Sequence, residues 1–190
     1  MKKILVIGAG RSSTSLIKYL LDNSTQEDWS VTVVDFNIEL AQKKINNHPQ
    51  GYYFKLDAND DIERRKFISK SNVVISMLPA NMHYKVLKDA VDCGVHVITP
   101  SYITEEIKSL NLSALENKVL VLNELGLDPG IDHMSAKKMI DQVELNGGKI
   151  IGFESFTGGL VAPESDDNPW NYKFTWNPRN VVLAGQGGAA

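Results

Sequence analysis

Near its start the chain reads Lys3-Ile4-Leu5-Val6-Ile7-Gly8-Ala9-Gly10-Arg11-Ser12-Ser13. Branched apolar residues run up to two glycines, and apolar residues at helical spacing follow as far as Leu21. This order of strand, glycine turn and helix is typical of the first unit of a dinucleotide-binding domain. Gly8 allows the tight turn, and Gly10 lets backbone N–H groups approach a pyrophosphate at the positive end of the helix. Because Ser13 takes the third glycine position, the fingerprint is a variant, and a tight turn without a ligand is the alternative.

The same unit repeats along the next hundred residues. Apolar strands are predicted, after the first, at 31–35, 52–56, 72–78, 95–99 and 118–122. Helices are predicted at 12–21, 38–45, 60–68, 82–93 and 105–116. Near-continuous apolar strands alternating with amphipathic helices predict an α/β fold, a Rossmann-type, doubly wound parallel sheet with helices on both faces. A dinucleotide-binding domain is therefore assigned to residues 1–123.

A different pattern begins at residue 124. A glycine- and acid-rich loop leads into a helix that reaches about Asn146, and residues 149–157 then alternate with period two, as a half-buried antiparallel strand does. A single such strand with a long loop is not a stable domain. We therefore expect 124–190 to be the beginning of a second α+β substrate domain with antiparallel strands, truncated here. Strands supplied by a partner chain are the alternative.

Composition is that of an ordinary globular protein, with 190 residues, 43% hydrophobic, 23% charged and a net charge of −3. No basic excess points to nucleic acid, and no apolar run reaches membrane-spanning length. The single cysteine, Cys93, cannot form an internal disulfide, which favours a reducing, cytoplasmic location. No His, Cys or carboxylate pair has metal-ligand spacing, so no metal is expected.

The end of the second predicted strand carries Asp35, 25 positions after Gly10. A carboxylate there can accept hydrogen bonds from the adenosine ribose and would repel a 2′-phosphate. Since Phe36 and the two residues after it include no Arg or Lys, NAD is the predicted cofactor and NADP the alternative. Arg11 is the one nearby cation expected, and a simple turn residue is the competing interpretation of Asp35.

Two longer motifs carry a family resemblance. They are Asn123-Glu124-Leu125-Gly126-Leu127-Asp128-Pro129-Gly130-Ile131-Asp132-His133 and Thr157-Gly158-Gly159-Leu160-Val161-Ala162-Pro163-Glu164. Segments 76–79 with His83, 99–103 and 168–176 support them. Together they resemble the glutamate-forming saccharopine dehydrogenase family, whose members are more than twice as long. The resemblance implies oxidation of the CH–NH bond of saccharopine by a nicotinamide cofactor, with water releasing glutamate and 2-aminoadipate semialdehyde.

The resemblance also implies site residues. The residues predicted to bind the cofactor lie in the glycine turn, at strand ends and in the loop after the sixth strand: Gly8, Gly10, Arg11, Ser12, Asp35, Asp57, Leu78, Pro79 and Leu127. For the amino-acid substrate, they are Ser101, Tyr102, Asp128 and Thr157, with Asp128 the candidate catalytic residue. Thr157 replaces a cysteine of many members. Without the resemblance, Ser101 and Tyr102 read as a helix cap and a packed aromatic residue, and Asp128 as a turn acid.

Asp132 is predicted to cap the following helix. His83, His96 and His133 are interpreted as structural.

Two other functions stay open at this point. A polyamine-type reductive condensing enzyme, similar to carboxynorspermidine or homospermidine synthase, would keep the fold and change the amine. A non-catalytic dinucleotide-binding module would keep only the first domain. The resemblance implies that the guanidinium groups that bind the substrate carboxylates lie largely beyond residue 190, so the 190-residue chain is expected to be inactive alone. A homodimer formed through the second domain is also expected.

Overall fold

Six strands pair side by side in one parallel sheet, in the computed structural model that describes residues 1–156 and 161–173. The strands are β1 Lys2–Ile7, β2 Trp29–Asp35, β3 Gly51–Lys55, β4 Val73–Ser76, β5 His96–Ile98 and β6 Val121–Leu122. Their order is β3-β2-β1-β4-β5-β6, and every pairing is parallel. The predicted Rossmann-type sheet is confirmed. Because the strand order reverses between β1 and β4, a ligand-binding crevice is expected above their carboxyl ends.

Seven α-helices connect and follow the strands in the described part of the chain. They are α1 Thr14–Asp22, α2 Ile38–Ile45, α3 Asp61–Ile68, α4 His83–Asp92, α5 Glu105–Lys108, α6 Asn111–Glu116 and α7 Ile131–Leu145. The predicted helix at 105–116 is two helices, because the Leu110 amide bonds to the carbonyl of Ile107, a tighter step that interrupts the α-helical pattern. The Asp60 cap is confirmed, since its Oδ1 accepts from the amides of Ile62 and Glu63.

Helices cover both faces of the sheet. On one face Leu5 and Ile7 of β1 pack into a cluster that includes Val86 and Leu87 of α4. On the other face Ile4 and Val6 pack with residues of α1 and α2. Alternate residues of one strand therefore enter two separate cores, which explains why the strand reads as a continuous apolar run.

The chain divides into two units, residues 1–142 and 143–190. In the second unit the described residues include the end of α7 and a 3-10 turn at Pro163–Ser165. The strand predicted at 149–157 has no strand pairing through residue 156, and Thr157 lies outside the described residues. Alternation gives a segment two faces but does not supply a hydrogen-bonding neighbour. The antiparallel strands and the boundary at 123/124 stay predictions. Among the described helices, none combines the length and apolarity needed to cross a membrane.

Candidate functional site

The glycine turn lies at the carboxyl end of β1. Gly8 has φ +107°, and its amide donates to the carbonyl of Val34. A Cβ on Gly8 would lie 2.8 Å from the carbonyl oxygen of Met77, so this backbone position requires glycine. Gly10 is different: a Cβ there would meet nothing within 4 Å. Space is therefore open above Gly10, where the sequence predicts a pyrophosphate.

The residues after Gly10 begin the first helix differently from the prediction. A 3-10 turn covers Arg11–Ser13, and only then does α1 start. Ser13 is buried and its hydroxyl donates to the carbonyl of Gly10, so the serine in the third glycine position fits without an unpaired group. Arg11 and Ser12 are exposed at the turn, as a pyrophosphate contact requires.

Asp35, at the end of β2, binds the glycine turn directly. Its Oδ2 accepts from the amide of Ala9 at 2.7 Å, and its Oδ1 accepts from the amide of Asn37 at 2.8 Å. The side chain of Asn37 in turn caps α2. Asp35 is thus a turn residue as well as a candidate ribose ligand, because each carboxylate oxygen keeps a further lone pair.

Two lysines lie closer to Asp35 than the sequence indicated. Lys55 is paired with Asp35 in the β2–β3 register, and its Nζ lies 5.3 Å from the centre of the Phe36 ring. Lys44 of α2 donates to the hydroxyl of Thr14; burial lowers its pKa, and the charge of Asp35 opposes that shift. The expectation that Arg11 is the one nearby cation is wrong. Lys44 and Lys55 belong to α2 and β3, so the sequence immediately after Asp35 gives no indication that they lie near it.

A cavity of about 350 Å³ opens beside these groups at the carboxyl edge of the sheet. Its lining comprises Ile7, Val34, Asp35, Phe36, Leu56, Asp57, Ala58, Asn59, Leu78 and Met82. Three predicted cofactor residues, Asp35, Asp57 and Leu78, therefore share one apolar cavity with two carboxylates at its rim. The Asp57 carboxylate also accepts from the amide of Asn59, which holds the turn after β3. The other six predicted cofactor residues are not part of this lining: Gly8, Gly10, Arg11, Ser12, Pro79 and Leu127.

The second loop of the site is a tight turn between β6 and α7. The amide of Gly126 donates to the carbonyl of Pro129, and the peptide bond between Asp128 and Pro129 is cis. Gly130 has φ +149°, and a Cβ there would lie 2.2 Å from the carbonyl oxygen of Gly126. No side chain fits at Gly130, so its glycine holds Asp128 and the exposed Leu127 at the tip of the turn.

Tyr102 meets this turn from the loop that follows β5. Its hydroxyl donates to Asp128 Oδ1 at 3.1 Å. Partial burial raises the Tyr102 pKa, and the hydrogen bond and charge of Asp128 raise it further. The neighbouring Ser101 accepts from the amide of Glu124 through its carbonyl. The structure therefore brings Tyr102 and Asp128 into contact and joins Ser101 to Glu124 of the same loop, whereas Thr157 lies outside the described residues. The substrate-binding roles of these residues stay predictions.

Asp132 and His133 extend this acidic loop into the first turn of α7. Asp132 lies inside the helix, rather than before it as predicted, and its Oδ1 accepts from the amide of Gly130. Desolvation raises the Asp132 pKa, but hydrogen bonds from His133 and from the Gly130 amide bring it below its usual range. The hydrogen bond between His133 and Asp132 also raises the pKa of His133. Ligand atoms of Asp128, Asp132 and His133 lie within 4.8 Å of one another, a grouping that spacing did not reveal. All three are exposed and we assign no metal to them.

One group of polar residues escaped the sequence prediction. His83, at the start of α4, is 2% exposed, and burial lowers its pKa to about 4. Ser76 Oγ lies 2.9 Å from its Nδ1, and Thr99 Oγ1 lies 3.2 Å from the same nitrogen. Ser76 is the last residue of β4 and Thr99 directly follows β5, the two strands that lead to the predicted cofactor and substrate loops. Their shared position at the strand ends was the available signal.

Comparisons with known proteins give one consistent result. The model for the saccharopine dehydrogenase NADP binding domain matches residues 4–124, and that for the saccharopine dehydrogenase C-terminal domain matches residues 126–190. The NADP(+), L-glutamate-forming saccharopine dehydrogenase of Schizosaccharomyces pombe is 38% identical over 97% of this chain and 40% of its own length. Mitochondrial alpha-aminoadipic semialdehyde synthase of Bos taurus is 37% identical over 96% of this chain and 19% of its own.

A solved structure agrees. Apo saccharopine dehydrogenase (L-Glu forming) from Saccharomyces cerevisiae superposes with a TM-score of 0.86 at 38% identity, covering 97% of this chain and 40% of that one. The chain thus spans about two fifths of the length of the fungal proteins it matches.

Proposed function

We propose, since the chain belongs to the saccharopine dehydrogenase family, that it forms the cofactor-binding part of an oxidoreductase acting on the CH–NH bond of saccharopine. One observation carries the proposal. The glycine turn after β1 and the Tyr102–Asp128 pair after β5 and β6 lie at the same carboxyl edge of one parallel sheet. A dinucleotide above that turn would have its reactive end near two groups able to handle a proton.

The residues of the turn fit a dinucleotide. Gly10 leaves open space where a pyrophosphate would approach, and Arg11 supplies a cation beside it. The 350 Å³ cavity, with its apolar walls and the Asp35 carboxylate, is suited to an adenosine. A bound nicotinamide supplies the hydride chemistry, and the protein supplies position and proton transfer.

The proton steps fall to Asp128. Saccharopine must lose a proton from its secondary ammonium, because only the neutral amine has a lone pair to assist departure of hydride from the neighbouring carbon. The resulting imine takes up water and separates into glutamate and 2-aminoadipate semialdehyde. We assign Asp128 as the group that accepts the amine proton, with Tyr102 holding its carboxylate in place.

Asp128→Asn in the full-length natural chain tests this role. The asparagine keeps the acceptor for Tyr102 but cannot take a proton, so saccharopine-dependent reduction of the dinucleotide is expected to fall about 100-fold or more. Dinucleotide affinity, measured by calorimetry, is expected to stay within about threefold. Asp141→Asn, on the exposed surface of α7, is the matched control. Undiminished turnover by Asp128→Asn would refute the assignment, and a panel with polyamine-type substrates would reveal a related condensing enzyme.

We further propose a preference for NAD over NADP. Three relatives with a cofactor in their names, and the matching domain model, are named for NADP, but Asp35 places a carboxylate at the expected ribose position of this chain. That carboxylate is fixed by two backbone amides and cannot rotate away without releasing the glycine turn. Lys44 is engaged with Thr14, and Lys55 lies over the Phe36 ring, so both would have to move to meet a 2′-phosphate.

The preference has a direct test in calorimetry with both oxidised cofactors. The unmodified chain is expected to bind NAD about 100-fold more tightly than NADP. Phe36→Arg places a guanidinium beside the cavity and is expected to narrow that ratio about tenfold or more, by improving NADP binding. Tyr52→Arg is the control, because it adds the same charge at an exposed position near the start of β3 that does not line the cavity. Equal affinities in the unmodified chain would show that Asp35 is a turn residue only.

Three expectations stay with this proposal. The 190-residue chain binds the dinucleotide without turning over saccharopine, and full-length protein forms a homodimer through its second domain. The cytoplasmic location stays a prediction.

A further inference from the structure

The buried group Ser76, His83 and Thr99 joins two loops of the site. Ser76 is the last residue of β4 and Thr99 directly follows β5, so each stands one step from a functional loop. The exposed fractions of the three side chains are 0%, 2% and 0%. Ser76 Oγ lies 2.9 Å from Nδ1 of His83, and Thr99 Oγ1 lies 3.2 Å from Nδ1 and 3.4 Å from Nε2, so each hydroxyl lies within hydrogen-bond distance of the ring.

If these three positions served only to pack the protein interior, apolar side chains would be sufficient. Burying an imidazole and two hydroxyls is unfavourable unless each finds a partner, and here the partners are one another. Burial keeps the imidazole neutral, with a pKa of about 4, so it presents one donor and one acceptor without a charge. In the described residues the Ser76 hydroxyl has this one side-chain partner.

From Ser76 the contacts lead to the glycine turn. Met77 follows Ser76, its amide donates to the carbonyl of Ile7, and its own carbonyl lies where any side chain on Gly8 would stand. Leu78 then lines the cavity assigned to adenosine. A shift of Ser76 would therefore move the floor of the cofactor site.

From Thr99 the contacts lead to the substrate loop. The Thr99 hydroxyl accepts from the amide of Ser101, and its carbonyl accepts from the amide of Leu125. The carbonyl of Ser101 accepts from the amide of Glu124, which lies just before the loop that carries Asp128. Thr99 thus anchors both loops that meet in the substrate site.

We propose that His83 is a positioning residue that couples the cofactor loop after β4 to the substrate loop after β5 by binding Ser76 and Thr99 at once. The names of the two loops rest on the proposed function, but the coupling is a property of the apo protein. The imidazole ring is the group that both hydroxyls share, and a double-mutant cycle supplies the measurement of coupling that a spatial connection alone does not.

A double-mutant cycle read by amide hydrogen exchange, without any ligand, tests the coupling. In the unmodified chain, Ser76→Ala is expected to speed exchange of the Ser101 and Leu125 amides roughly two- to tenfold. In a His83→Leu background the same Ser76→Ala change is expected to have no further effect. His83→Asn restores a polar group near the position of Nδ1 and is expected to restore the response. His96→Leu is the control. It replaces an exposed histidine at the start of β5, the strand that Thr99 follows, and is expected to leave the response to Ser76→Ala intact.

The outcomes separate the possibilities. Additive effects of Ser76→Ala and His83→Leu would overturn the coupling and leave His83 as a packing residue. If His83→Leu does not fold, Thr99→Val breaks the same chain and replaces it in the cycle, with the Leu125 amide as the readout because the Ser101 amide loses its own acceptor. Calorimetry with NAD and with NADP is run on the same proteins. Because the exchange experiment uses no ligand, a chain that binds neither dinucleotide overturns the proposed function and leaves the coupling to be decided by the cycle.

Discussion

Replacing Asp89 with alanine is expected to lower the free energy of unfolding by about 3–5 kcal/mol. Arg64 of α3 is 2% exposed, and its Nη2 lies 2.6 Å from Asp89 Oδ2 of α4. The guanidinium also donates to the carbonyl of Ala58 and to the exposed carboxylate of Asp61. Without Asp89, a buried cation would lose its buried partner while its desolvation cost remained. Equilibrium unfolding in urea measures the loss.

A neighbouring aspartate on the same helix is the control. Asp92 pairs with Lys88 and Arg65 but is partly exposed, so Asp92→Ala is expected to cost less than about 1 kcal/mol. Replacing the buried pair together, as Arg64→Met with Asp89→Leu, removes both charges and is expected to recover most of the loss. A loss below about 1 kcal/mol for Asp89→Ala would mean that the Arg64 charge is solvated or satisfied by its other partners.

The parallel sheet could be predicted because its central strands β1, β2 and β4 are largely buried on both faces. Val31, Val33 and Val34 of β2 are all fully buried, and such a run of branched residues is typical of a parallel strand covered by helices on both faces. The bounds of α2 were predicted correctly because they depend on local chemistry. Asn37 caps its start, and Asn46 takes the left-handed conformation at its end.

Contacts between distant elements could not be predicted in the same way. The Arg64–Asp89 pair joins two helices 25 positions apart, and neither residue differs in sequence from an ordinary surface charge. The same holds for Lys44 and Lys55, which approach Asp35 only once α2 and β3 have folded beside β2. Periodicity determines which face of an element is apolar, but not which polar side chains meet across elements.

The candidate site was predicted in two different ways. The glycine turn follows from residue chemistry, since Gly8 is required by its positive φ and by the nearby carbonyl of Met77, and Gly10 keeps the space beside the turn open. Tyr102 and Asp128 were proposed from resemblance alone, because a tyrosine and a turn acid 26 positions apart carry no recognisable spacing. Their hydrogen bond depends on the parallel sheet, which brings the carboxyl ends of β5 and β6 side by side.

Acidification is expected to destabilise the protein through His83 by about 3 kcal/mol between about pH 6.5 and pH 4. Burial lowers the pKa of the folded imidazole to about 4, below its ordinary value of 6.5. The unfolded chain therefore binds the proton first as the pH falls. The stabilisation is fully present above the unfolded pKa, is lost progressively toward the folded pKa, and does not change further below it.

His83→Asn isolates this contribution, because asparagine fills part of the same polar site and does not titrate. Urea unfolding of both proteins at about pH 7 and about pH 4.5 gives two differences in free energy. Carboxylates that titrate in this range contribute equally to both proteins and cancel. The free energy of unfolding of the unmodified chain, relative to that of His83→Asn, is expected to fall by about 2–3 kcal/mol on acidification. An unchanged advantage would mean that the folded imidazole accepts a proton as readily as the unfolded one, and that Ser76 and Thr99 accept hydrogen bonds from a charged ring.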